Sequence, residues 1–214
     1  INKKLLNKDV CLLHGVTSSG KTEIYIKLIE QELKKGRQVL YLLPEIALTI
    51  QIIKRLKKHF GNLVGVSHSN LNNSERVEVW KSVHNESSAD NQFSIILGAR
   101  SSLFLPYNNL GLIIIDEEHD PSYKQQQPSP RYHARDSAIY LATIHNAKVL
   151  LGSATPSMES YYNARNDKYG FVELHTRYSD IKLPKINTID IRKGYLKKEM
   201  QGFFSNELIN EISV

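Results

Sequence analysis

The segment Gly15-Val16-Thr17-Ser18-Ser19-Gly20-Lys21-Thr22 follows the apolar run Val10-Cys11-Leu12-Leu13-His14 and precedes Tyr25, Leu28, Ile29 and Leu33, which recur at helical spacing. A strand that enters a glycine-bracketed turn and leaves as a helix is the setting in which the spacing G-x-x-x-x-G-K-T/S carries meaning. Glycine lets the backbone wrap closely, successive N–H groups converge, and the helix start adds its positive end, so the turn suits the oxygens of a phosphate. On this reading Gly15, Val16, Thr17, Ser18, Ser19, Gly20, Lys21 and Thr22 cradle a nucleotide. Lys21 reaches the β and γ phosphates and the Thr22 hydroxyl ligates magnesium.

The rest of the chain alternates in the same way. Strands are predicted at Gln38–Leu43, Leu63–Val66, Phe93–Leu97, Leu112–Ile115 and Lys148–Leu151. Helices are predicted from Lys21 to Lys34, along the face Ile46, Ile50, Ile53 and Leu56, from a cap at Ser74 to His84, and from Ala134 to His145. This is the pattern of an α/β fold, a mostly parallel sheet sandwiched between helices. Residues 86–91 read as a polar loop. Residues 120–133 hold three prolines and the run Gln125-Gln126-Gln127, and a long loop inside a compact domain points to function. Beyond about residue 170 the pattern weakens, with a strand expected at Ile186–Ile191 and a helix at Ser205–Ile212.

Composition adds limits. The 214 residues include 41% hydrophobic side chains and one cysteine, which excludes a disordered chain and a disulfide scaffold. No run approaches the roughly 20 apolar residues that cross a bilayer, and the amino terminus lacks a secretory signal, so a cytoplasmic protein without a membrane partner is expected. The first residue is Ile, from which a piece of a longer polypeptide is expected. The charge, 28 Lys and Arg against 22 Asp and Glu, leans mildly toward polyanions. The clusters at Lys34, Lys35 and Arg37 and at Lys54, Arg55, Lys57, Lys58 and His59 read most simply as solvated helix ends.

A phosphate cradle needs a metal site, and Ile113-Ile114-Ile115-Asp116-Glu117-Glu118-His119 supplies one at the end of an apolar strand. Asp116 would hold magnesium, while Glu117 would orient or deprotonate a water. Taken alone, an acidic strand end is as often a solvated loop. A third element, Gly152-Ser153-Ala154-Thr155-Pro156-Ser157, follows the last strand, and its hydroxyls can link the nucleotide site to moving parts, although Ser-Ala-Thr also suits a helix cap.

In this order the three elements resemble the first motor lobe of a superfamily 2 helicase, which implies a RecA-like P-loop fold. Leu43-Pro44-Glu45-Ile46-Ala47-Leu48-Thr49 and Gly98-Ala99-Arg100-Ser101-Ser102-Leu103-Phe104 look like that superfamily's two backbone-contacting motifs. Asp120-Pro121-Ser122-Tyr123-Lys124-Gln125-Gln126 with Pro130-Arg131-Tyr132-His133-Ala134-Arg135-Asp136, together with the Gly15 to Glu23 stretch, narrows the resemblance to the PriA family of replication-restart helicases and its aromatic-rich loop. The likeness runs through Leu183-Pro184-Lys185-Ile186 and Ile189-Asp190-Ile191-Arg192, similar to the link into a second lobe.

The resemblance implies an ATP-dependent DNA helicase, 3′ to 5′, acting in primosome assembly and replication-fork restart. Residues 1–170 would be the ATP-binding lobe and 171–214 a linker with the start of the second lobe. Catalysis would rest on Lys21, Asp116 and Glu117, magnesium on Thr22 and Asp116, and coupling on His119, Ser153 and Thr155. Pro44, Arg100, Ser101, Tyr123, Lys124, Arg131 and Tyr132 would contact DNA. Aromatic and cationic side chains interleave in the loop as base stacking and phosphate contact require, although Tyr123 and Tyr132 also suit packing the loop down. Implied partners are single-stranded and forked DNA, primosome or replication-restart proteins and single-strand binding protein. Cofactors are ATP and magnesium, with zinc only in parts of the family's members outside this chain. Ser18 and Ala99 depart from the family, which usually has glycine and a hydroxyl residue there. Without the second lobe's arginine finger, weak ATPase and no unwinding are expected of this chain. The remaining alternatives are another superfamily 2 nucleic-acid translocase and a non-catalytic nucleotide-binding module.

Overall fold

Runs such as Leu112-Ile113-Ile114-Ile115 are apolar at every position, so a strand made of them must be covered on both faces. The computed structural model, which describes residues 1–44, 50–69, 71–84, 92–177 and 186–212, builds them so. The strands are β1 (Val10–Gly15), β2 (Gln38–Leu42), β3 (Val64–Ser67), β4 (Ile95–Gly98), β5 (Leu110–Asp116), β6 (Lys148–Ser153) and β7 (Gly170–Leu174). They form one seven-stranded sheet in the order β3-β4-β2-β5-β6-β1-β7. Every neighbouring pair is parallel.

The helices of this unit are α1 (Asn2–Asn7), α2 (Lys21–Leu33), α3 (Ile50–Phe60), α4 (Asn73–Val83), α5 (Ala134–His145) and α6 (Met158–Arg165). Successive strand residues serve two cores. Leu12, Leu40, Leu42, Ile113, Ile115, Val149 and Leu151 pack with residues of α4, α5 and α6. Cys11, Leu13, Val39, Tyr41, Leu112, Ile114 and Leu150 pack with residues of α1, α2 and α3. Cys11 is a core residue, its thiol pushed up to about 11 by burial.

Three expectations move. The cap of α4 is Asn72, not Ser74: Asn72 Oδ1 accepts from Glu75 N at 2.9 Å and Glu75 Oε2 accepts from Asn72 N at 2.8 Å, a reciprocal box that starts the helix early. The first unit reaches Asp180, past the expected boundary at 170, because β7 pairs with β1 as an edge strand. The second unit, Ile181–Val214, holds α7 (Ile191–Leu196), a hairpin of β8 (Met200–Gln201) and β9 (Phe204–Ser205), and α8 (Asn206–Ile212). No strand forms at 186–191, where Asp190 accepts from Arg192 N at 3.1 Å and opens a helix instead. The Glu45–Thr49 part of the first backbone-contact motif, with Ile46, lies outside the described residues, as do the loop at 86–91 and Leu183-Pro184-Lys185.

Gln38, buried at the start of β2, fastens the far end of the sheet. Its Nε2 donates to Val83 O at 2.9 Å, and its Oε1 accepts from Asn108 N at 2.9 Å and Asn109 N at 3.1 Å. A Gln38→Leu chain leaves one carbonyl and two N–H groups unpaired and is expected to lose about 2–4 kcal/mol of unfolding free energy in urea. A loss within error of zero would show that water reaches these groups.

Candidate active site

The chain crosses from β1 to β2 over β6 and β5, so the ends of β1, β5 and β6 open on the crevice where parallel α/β sheets place ligands. Three of the sequence motifs leave the sheet there. Gly15 ends β1, Asp116 ends β5 and Ser153 ends β6. A cleft of about 700 Å³ is lined by Thr17, Ser18, Ser19, Gly20, Lys21, Thr22, Glu23, Arg55, Asp116 and Glu117, a size suited to a small ligand.

The cradle is formed before any ligand arrives. Lys21 Nζ donates to Gly15 O at 2.8 Å, bridging the two ends of the loop. An added Cβ at Gly15 would lie 2.8 Å from Ser19 Oγ, and that hydroxyl is buried with no partner among the described residues. Ser18 and Gly20 hold φ of 62° and 86°, the left-handed region that favours glycine, so Ser18 occupies a conformation glycine would take at less cost. The N–H groups of Lys21 and Thr22 precede the first helical bond of α2, which Glu23 N makes to Gly20 O at 3.0 Å, and both residues open into the cleft. Hydroxyls, an orphaned buried oxygen and the cations Lys21 and Arg55 fit a polyphosphate. Thr22 and Asp116 fit magnesium, which takes one or two protein oxygens and fills its shell from phosphate and water.

Asp116 is gripped from both sides of the sheet. Tyr25 Oη on α2 donates to Oδ1 at 2.9 Å and Tyr41 Oη on β2 to Oδ2 at 3.2 Å. Tyr123 Oη, from the opposite core, donates to the Asp116 carbonyl at 2.7 Å. Burial raises the Asp116 pKa, opposed by the Tyr25 hydroxyl and by Lys21. Glu117, turned outward at φ 48°, is raised by burial and by Asp116 beside it. The remaining residues of the acidic motif face elsewhere. Glu118, 1% exposed, accepts from Ser157 N at 2.7 Å and Ser160 Oγ at 2.8 Å and pairs with Arg135 at 3.3 Å. His119 Nδ1 lies 2.8 Å from Ser153 Oγ and its Nε2 3.3 Å from Thr155 Oγ1, while Ser153 Oγ accepts from Thr155 N at 2.9 Å. The three expected coupling residues are therefore one hydrogen-bonded cluster.

The expected nucleic-acid residues divide. Arg100 donates to Ser122 O at 2.7 Å, and Phe104 meets Tyr132 edge-on at 5.1 Å, so the Gly98–Phe104 motif and the 120–133 loop share a surface. The loop is a pinned hairpin: Gln125 N donates to Tyr132 O at 2.9 Å, and Gln125 Nε2 to Pro128 O at 2.9 Å. Ser101, Lys124 and Arg131 are exposed on it and Tyr132 is half-buried. Pro44 and Tyr123 are corrections. Both are buried, Tyr123 because its ring fills the α5-side core and its hydroxyl is committed to Asp116, so neither offers surface to a strand.

Sequence reasoning missed Tyr25, Tyr41, Arg55, Glu118 and Arg135. A tyrosine within an otherwise aliphatic strand was the available signal for Tyr41. Arg55 pairs with Glu23 at the cleft rather than serving only as part of a solvated helix end. Gly152 is also explained: paired across from Asp116, it would place a Cβ 1.8 Å from Tyr25 Oη.

Gly152→Ala is thus expected to cost about 1–3 kcal/mol in urea unfolding, partly recovered by adding Tyr25→Phe; an alanine chain as stable as the parent would refute the crowding. Asp116→Asn has the opposite sign. A carboxyl whose pKa rises on folding holds its proton more tightly in the folded state, so at neutral pH its ionised form weighs against folding. The amide should raise the melting temperature of the nucleotide-free chain at pH 7, by an amount that shrinks as the pH falls and Asp116 itself is protonated. A lower melting temperature at pH 7 would show that the tyrosine hydroxyls outweigh burial.

The family model described as DEAD/DEAH box helicase matches residues 1–164. The chain is 44% identical over 203 residues to the Replication restart protein PriA of Bacillus subtilis (strain 168), covering 95% of this chain and 24% of that protein. Against the Replication restart protein PriA of Haemophilus influenzae it is 50% identical over 184 residues, covering 86% and 24%. Against that of Chlamydia trachomatis it is 46% identical over 204 residues, covering 95% and 26%. The chain thus spans about a quarter of the length of the curated relatives it matches. In fold it is similar to the DUF1998 helicase MrfA, solved bound to DNA, with TM-score 0.56 and 18% identity over 82% of this chain and 24% of that one. It is also similar to the Pyrococcus furiosus Hef helicase domain, with TM-score 0.53 and 17% identity over 78% of this chain and 36% of that one. The sheet and its helices are a RecA-like α/β lobe, and the chain, matched over most of its length, belongs to the DEAD/DEAH box helicase family.

Proposed function

We propose that this chain is the nucleotide-binding lobe of an ATP-driven DNA helicase, moving 3′ to 5′ and serving primosome assembly and the restart of replication forks in the cytoplasm. The observation that carries the reading is the single cleft in which a preformed phosphate cradle faces the carboxylates of Asp116 and Glu117. Likeness to replication restart proteins supports the biological setting. Lys21 would exchange Gly15 O for phosphate oxygens, and Thr22 with Asp116 would hold the metal. Magnesium supplies neutralisation of charge on the phosphate oxygens. Glu117 orients the attacking water and takes its proton, helped by its raised pKa. His119, two residues beyond the acidic pair, joins Ser153 and Thr155 in a cluster that carries changes there toward β6. Arg100, Ser101, Lys124, Arg131 and Tyr132 grip single-stranded or forked DNA. Residues 171–214 are read as a linker and the start of the second lobe, and replication-restart proteins and single-strand binding protein as partners.

Calorimetric titration of magnesium-ATPγS into this chain and into Lys21→Ala tests the cradle. Binding that disappears with the lysine is expected; equal binding by both, or by neither, would count against a preformed site. Turnover should be weak in this chain, since a trans arginine is worth roughly 10³–10⁵ in rate. In the longer protein Glu117→Gln should bind nucleotide normally and lose DNA-stimulated hydrolysis, and unchanged hydrolysis would remove Glu117 from its role.

A further inference from the structure

Helix α4 presents a stripe that the nucleotide site does not use. Arg76, Trp80 and His84 follow one another at intervals of four residues and so share one face. Trp80 is the single tryptophan of the chain and remains 43% exposed. The His84 ring stacks on it at 5.3 Å and 23°. Beside it lies a groove of about 420 Å³, distinct in every lining residue from the nucleotide cleft. Trp80 and Arg76 form its α4 side, Arg100 and Ser101 another, and Gln125 reaches it from the 120–133 loop, with Leu71 among its apolar residues.

The groove is already shaped. The Arg76 guanidinium is held by Leu71 O at 3.0 Å and Ser69 O at 2.8 Å, and that of Arg100 by Ser122 O. Two cations are therefore fixed at the rim without a carboxylate to neutralise them in these bonds. A planar aromatic wall, an apolar side and fixed positive charge match one chemical unit, an aromatic base carried on a phosphate chain. The guanidinium donors that hold the shape are spent on backbone carbonyls, so the groove favours stacking over reading of base edges.

We propose that this groove accepts an unpaired base of single-stranded DNA, stacked on Trp80, with the adjoining phosphates beside Arg76 and Arg100. The inference rests on the reading of Arg100 and Ser101 as DNA contacts and extends that face by a base-binding position on α4. Because Trp80 is the only tryptophan of this chain, its emission reports the event directly.

The test is to titrate a single-stranded oligodeoxythymidine into the 214-residue chain at low salt, following Trp80 emission and, in parallel, the anisotropy of a labelled strand. Quenching that tracks occupancy is expected with the oligothymidine and not with an abasic strand of the same length. Trp80→Ala should weaken oligothymidine binding about fivefold or more, Trp80→Phe should retain most of it, and abasic binding should be the same for all three. Occupancy without quenching, or an equal loss of abasic binding in Trp80→Ala, would overturn the base pocket while leaving DNA binding in place. No occupancy by either strand would overturn the DNA-binding reading together with the pocket. Quenching by a peptide or by anionic vesicles but not by DNA would assign the groove to another class of partner.

Discussion

The structure of this lobe is organised around one half-buried carboxylate. Asp116 ends β5, the central strand of the sheet, where an unpaired charge is costly. Three tyrosine hydroxyls answer it, two on the carboxylate and one on its own carbonyl. They come from α2, β2 and the 120–133 loop, so elements from both cores are fixed by reference to one residue. Neutral donors soften the cost of burial without cancelling it, and the Asp116 pKa stays raised. A site left in that condition favours an incoming cation, because a divalent ion compensates the charge that the hydroxyls only partly satisfy. Stability withheld from the free lobe is thereby available to metal and nucleotide binding.

The four residues from Asp116 to His119 divide the work among directions. The left-handed turn at Glu117 sends that side chain toward the cleft, returns Glu118 to the interior and leaves His119 against β6. Glu118 shows why the division holds. Its carboxylate is almost wholly buried, and Arg135, Ser157 and Ser160 together satisfy it. A buried ion pair of this kind adds little net stability, but removing one partner is expensive, so it enforces one arrangement. The arrangement it enforces ties the acidic motif to the starts of α5 and α6.

Much of this was legible in the sequence because it depends on local chemistry. The phosphate loop, the apolar strands and the helix Ala134–His145 announce themselves through glycine placement and periodicity, and the β1-loop-α2 unit lies where its residues require. What was not legible depends on tertiary partners. Tyr25 reads as an ordinary helix-face position, and Tyr123 as a DNA contact, until the sheet order brings Asp116 between them. Tyr123 stands in a loop whose composition suggests base stacking, yet its ring is taken by the core. Gly152 reads as part of a capping sequence, and only the register of β6 against β5 gives it the task of leaving room for a hydroxyl. The edge strand β7 and the short α1 escaped notice since an edge carries half the burial of a central strand.

The same contacts set the scale on which the two ends of the lobe can influence each other. Ser122 and Tyr123 are neighbours in the chain. The first accepts from Arg100 of the Gly98–Phe104 segment and the second donates to Asp116 in the cleft. A loop held at adjacent residues by both surfaces cannot shift far without breaking one of these bonds. Each is worth roughly 0.5–1.5 kcal/mol net, more where a charge takes part. Coupling through this dipeptide is therefore bounded at about 1–3 kcal/mol, the usual range between linked sites. That is enough to bias which state of the cleft is populated by roughly 5–150-fold. It is small beside the roughly 10³–10⁵ in rate that an arginine supplied in trans contributes to phosphoryl transfer, so this dipeptide sets a balance of states and no more.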